Sequence, residues 1–117
     1  MKLCSHILLV SPGLTARFEW TGYDGDDEFD HLYIEIRTGA DEERFDIGPC
    51  GIFAIDRLTR FFREASLSTV GGRGHHPEAH GFSISREGDD YRIVVRSDDP
   101  ARCEEFRLHS PRVEFGE

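Results

Sequence analysis

The 117-residue chain is poor in cysteine chemistry: Cys4, Cys50 and Cys103 are widely spaced and form no C-x-x-C pair. A thiol redox motif and a cysteine-based zinc knuckle are thereby excluded, and an odd number of scattered thiols fits a reducing compartment. No apolar run approaches the length that crosses a bilayer. Residues 7–10 are apolar, but the run is too short for a secretory h-region, and His6 and Pro12 bracket it. A cytoplasmic location is expected. Basic charge is also scarce, with 14 Lys and Arg against 23 Asp and Glu and a formal net charge of −9. Phosphate backbones and anionic lipid both require clustered cations, so direct binding to nucleic acid or membrane is not expected. Catalytic signatures are missing as well. Ser83 in "GFSIS" lacks the second glycine of a nucleophile elbow, no P-loop occurs, and Gly72-x-Gly74 is not followed by the third glycine of a dinucleotide fingerprint. Neither an enzymatic activity nor a cofactor is expected.

What the chain does have is a pattern of strands. Apolar residues make up 38% of it, including nine phenylalanines, enough to build a core without disulfide or metal. In "HLYIEIRT" Leu32, Ile34 and Ile36 alternate with Tyr33, Glu35 and Arg37. Ala16, Phe18 and Trp20, then Phe82 and Ile84, then Tyr91, Ile93 and Val95 repeat the period of two that marks a sheet with one dry and one wet face. Shorter candidates cover residues 6–10, 44–48, 105–109 and 112–115. Ser11-Pro12-Gly13, Gly39-Ala40-Asp41 and Gly88-Asp89-Asp90 supply tight turns, which join antiparallel neighbours.

One segment changes period. Over residues 54–66, Ala54, Ile55, Leu58, Phe61, Phe62 and Ala65 fall on one helical face, with Asp56–Arg60 and Arg60–Glu64 spaced as i,i+4 ion pairs on the other. Gly48-Pro49-Cys50-Gly51 reads as the break where the preceding strand ends. The expected fold is α+β in a single domain over residues 1–117. It is an antiparallel sheet of about seven to eight strands, curved or two-layered, covered by one amphipathic helix.

Two stretches could carry chemistry. In "GGRGHHPEAHG", His75, His76, Glu78 and His80 offer imidazoles and a carboxylate of the kind that binds zinc. Pro77 and the flanking glycines oppose the helix that would align His76 with His80, so a polar connector from helix to next strand is the more economical account. His76-Pro77-Glu78 imitates the H-x-E of zinc deaminases, but no P-C-x-x-C follows it. The second stretch is "YDGDDEFD", where Asp24, Asp26, Asp27, Glu28 and Asp30 crowd five carboxylates together. No EF-hand register fits, and mutual repulsion demands solvent. An acidic surface loop is the favoured account over a cation site, and it would serve as a patch that meets a basic protein partner, because opposite charge speeds and orients encounter. Arg57, Arg60 and Arg63 line one flank of the helix as a solvated stripe, and Cys50 is expected to pack at the strand–helix corner.

The segment "HLYIEIRTG…RFDIGPCGIFAIDRLTRFFREA" resembles the strand, hairpin, strand, Pro-Cys break and amphipathic helix of WapI-type bacterial immunity proteins and related small uncharacterised bacterial families. The likeness covers residues 31–65 best and lies in apolar patterning and element order. It implies a cytoplasmic inhibitor of a cognate toxin or nuclease, and it transfers no binding residue position by position. A metal-binding protein or metal-dependent enzyme built on the histidine loop stands as one alternative. An acidic decoy that mimics nucleic acid stands as another. The partner, strand order and oligomeric state are not encoded in these patterns.

Overall fold

A computed structural model describes residues 6–23, 26–64, 69–73, 81–96 and 103–116. In chain order the elements are β1 (His6–Ser11), β2 (Leu14–Tyr23), β3 (Asp26–Thr38), β4 (Asp41–Gly51), α1 (Ile52–Arg63), β5 (Thr69–Arg73), β6 (Gly81–Glu87), β7 (Asp90–Arg96), β8 (Cys103–His109) and β9 (Arg112–Gly116). The strands form two antiparallel sheets with orders β4-β3-β2-β1-β9 and β5-β6-β7-β8. The expected α+β class, with one helix among the described residues, is therefore what this chain adopts. Among the described residues no helix is long and apolar enough to cross a membrane.

Side-chain alternation explains how the layers meet. Phe115, Ile7, Phe18, Ile34 and Phe45 stand in register across all five strands of the first sheet and so share one face. From the second sheet, Phe82, Ile84, Ile93, Val95 and Leu108 enter the same core. Phe18 meets Phe82 at 6.3 Å between ring centres, and Phe45 meets Phe106 at 6.2 Å. The helix completes the core with Ile55, Leu58 and Phe61, while Phe62 packs 5.9 Å from Phe18 and Phe61 lies 5.8 Å from Tyr91. Full burial of each such side chain contributes about 1.5–3 kcal/mol relative to exposure.

The second sheet is tied to the helix and to the first sheet by polar contacts. Arg86 Nη2 donates to the Phe61 carbonyl at 2.6 Å, satisfying one of the orphan acceptors in the last turn of α1, and its guanidinium lies 4.8 Å from the Phe61 ring centre. Ser11 Oγ donates to the His109 carbonyl at 3.1 Å, and the Ser110 amide donates to the Asp89 carbonyl at 3.1 Å. This corner holds β1, β8 and the β6–β7 turn together. Ser110 accepts a positive φ of 41° to carry the chain from β8 of one sheet into β9 of the other.

Three expectations are corrected. The strand before the helix does not end at Gly48-Pro49; β4 runs on to Gly51. The register shifts opposite Leu32 and Tyr33, where Gly48 takes a φ of 86°, so a bulge absorbs the irregularity. Proline is tolerated because β4 is an edge strand with one side free of ladder bonds. The helix begins two residues earlier than its periodicity suggests and ends at Arg63, with Arg60–Glu64 as a 3.5 Å ion pair beyond which the regular turn stops. The glycine-rich stretch is not a link throughout, since residues 69–73 form β5, paired to β6 with Val70 opposite Ile84. The described strands number nine, close to the about seven to eight expected.

Candidate partner-binding face

The outer face of the first sheet is polar and almost fully cross-paired. Strand register brings Glu114, Leu8, Arg17, Glu35 and Arg44 into one row, and Arg112, Val10, Thr15, Arg37 and Glu42 into another. Arginine and glutamate thus become neighbours, within a strand or across it. Arg37 Nη2 donates to Glu42 Oε2 at 3.0 Å, Arg44 Nη1 lies 3.3 Å from Glu35 Oε1, and Arg112 Nη2 lies 3.5 Å from Glu114 Oε2. Arg17 Nε sits 3.2 Å from Glu19 Oε2 at an angle that makes a charge contact and no hydrogen bond.

Toward β4 this face becomes aromatic. The Arg44 guanidinium lies 4.1 Å above the Tyr33 ring centre, Tyr33 stacks on His31 at 4.6 Å and 19°, and His31 Nε2 donates to Asp46 Oδ1. Glu35, Arg44, Tyr33, His31 and Asp46 form a continuous chain of contacts around a tyrosine and an arginine at the surface. Those two residue types are enriched where protein partners bind tightly, since each offers a large contact area and a polar handle.

The outer face of the second sheet is similarly paired. Arg92 grips Glu105 with Nε at 2.6 Å and Nη2 at 3.1 Å. The hydrogen bond from Arg92, together with the charges of Arg92 and Arg107, holds the Glu105 carboxyl below the usual glutamate range against a smaller opposing effect of burial. Arg107 Nη2 lies 2.8 Å from Glu87 Oε2, and His109 Nδ1 donates to Asp90 Oδ1 at 2.6 Å. Near them an open cleft of about 330 Å³ is lined by Arg86, Gly88, Asp89, Tyr91, Ser110 and Pro111. Its one guanidinium is already engaged by the end of the helix.

The acidic stretch is not the surface loop expected from its sequence, since Asp26, Asp27, Glu28 and Asp30 lie in the first half of β3, where backbone pairing to β2 and β4 extends the strand. The backbone brings Asp26 opposite Tyr23, and Asp30 between Gly22 and Cys50. Asp24 falls outside the described residues, as do His75, His76, Glu78 and His80. Among the described residues no group of three or more His, Cys, Asp or Glu side chains is placed to hold a metal. Sequence reasoning missed the His31–Tyr33–Arg44–Asp46 cluster. The signal available was the shared parity of 31 with 33 and of 44 with 46, but only the β3–β4 register joins the two pairs. No protein-family model, curated protein or solved structure matches this chain.

Proposed function

We propose that the protein is an acidic binding module of the immunity type, which recognises a basic toxin or nuclease and occludes its working surface. The observation that carries this reading is the distribution of charge. Arg17, Arg37, Arg44 and Arg112 on the outer face of the first sheet each lie against a glutamate. The surplus carboxylates behind the net charge of −9 then set the long-range field. Two acidic segments flank the middle of β3: Asp26, Asp27, Glu28 and Asp30 within its first half, and Asp41 and Glu43 just past its other end, beside the Arg37-paired Glu42. Between them lies the Tyr33–Arg44 patch. In this scheme the carboxylates steer a basic partner toward the sheet, and Tyr33 with Arg44 supplies the close contact that slows its release.

The reading is tested by immobilising the protein, passing the native host's lysate over it at low salt, and eluting with a salt gradient. One basic protein retained at near-equal stoichiometry, whose activity is blocked on binding, is the expected result. Retention of many unrelated nucleic-acid-binding proteins would instead indicate a decoy, and retention of none would overturn the inhibitor assignment.

A further inference from the structure

We propose that β9 is a self-association edge, through which two copies of this chain join their five-stranded sheets into one continuous sheet. β9 ends the order β4-β3-β2-β1-β9, and no described strand lies along its far side. The other edges differ. β4 carries Asp41, Glu42, Glu43 and Asp46, a bulge and Pro49, the devices that discourage strand addition. β8 lies against β1 and is pinned there by the Ser11–His109 contact. β5 is interrupted by Gly71 and Gly72, which weakly specify register.

β9 has no proline, no bulge and no lysine, and its sequence is self-complementary. In an antiparallel pairing of two β9 strands centred on Val113, Arg112 of each copy stands opposite Glu114 of the other. Both are exposed on the outer face, and their present contact with each other is a long 3.5 Å. On the inner face Val113 meets its own counterpart, and Phe115 comes opposite Pro111. Phe115 is the exposed large hydrophobic residue of the described chain, 37% accessible, with Arg63 at 4.4 Å above its ring centre. The core ends at that ring, and a second copy would continue it. The opposing arrangement of Arg112 and Glu114 is what selects another copy of this chain rather than an arbitrary extended peptide. In the resulting dimer the two Tyr33–Arg44 patches point to the far ends of the joined sheet, so partner binding and self-association do not compete.

The test is sedimentation equilibrium of the full chain from about 1 to 500 μM, a range that spans weak to moderate affinity. The expected mass rises from one chain to two. Arg112→Glu and Glu114→Arg, each alone, put like charges opposite one another in both symmetric pairs and should weaken the dimer about tenfold or more. The double variant Arg112→Glu with Glu114→Arg restores opposite charges and should recover it, with far-UV circular dichroism unchanged throughout. A monomer at every concentration would overturn the proposal. So would a dimer indifferent to the single changes, or a loss that the double variant does not repair.

Discussion

Glu105 shows how much of this surface is decided by one pairing. Arg92 grips it with two nitrogens, and the carboxyl is held below its ordinary range. A carboxylate whose folded-state affinity for protons is reduced stabilises the fold above the unfolded value, and loses that contribution as pH falls through the lowered one. Glu105→Gln should therefore unfold at lower denaturant than the parent near neutral pH. The two should converge in acid, below the usual glutamate range; denaturant titrations at several pH values would show it. Pairings at this scale were hardly legible in the sequence. Arg92 and Glu105 are 13 residues apart, and nothing in either segment says which residue of β8 lies opposite which residue of β7. The same holds for His31 and Asp46, whose contact depends on where the β4 bulge falls.

At the scale of elements the sequence was more forthcoming, because burial imposes a period. The helix could be read from Ile55, Leu58, Phe61 and Phe62, and those residues do pack on the sheets. Alternation located β1, β2, the second half of β3 and β6 to β9 in the same way. It failed where the backbone supplied the structure and side chains did not. β5 has two adjacent glycines, so no alternation can be seen, and its place comes from pairing with β6. Pro49 imitated a strand end because an edge position, invisible in sequence, makes its missing N–H harmless. Phe61 is the hinge of the packing between layers: fully buried, against Phe62 and Tyr91, with Arg86 bound to its carbonyl. Phe61→Ala should cost about 3–5 kcal/mol in chemical denaturation. Phe61→Leu should cost appreciably less, because most of the volume is kept.

For the whole molecule the relevant quantity is net charge. Fourteen bases cannot balance 23 acids, and the arginines of the first sheet spend their charge within it. Neutralising Asp24, Asp26, Asp27, Glu28 and Asp30 together as amides should slow capture of the basic partner by about tenfold at low salt, the range in which steering operates, and flatten its salt dependence. Stopped-flow association rates at several ionic strengths measure both effects, and unchanged rates would move the contact to another face. Tyr33→Ala should instead act on the dissociation rate. Composition alone announced the acidity, whereas the face it surrounds emerged only once β3 and β4 were paired.

β1 pairs with β9 as well as with β2, so β1 is completed by residues more than 100 positions downstream. On a ribosome, β1 to β4 and the helix emerge while the edge of β1 that β9 will cover is still bare. The buried row through Ile7 and Phe18 also lacks the phenylalanines of the second sheet at that stage. The nascent chain therefore has to shelter an open strand edge and an uncovered apolar face until the second sheet and β9 have been translated. Six of the seven described pairings join strands that follow one another in the chain, and the pairing of β1 with β9 is the distant one that slows assembly. The strand that closes the edge of β1 is thus also the one that ends its exposure during synthesis.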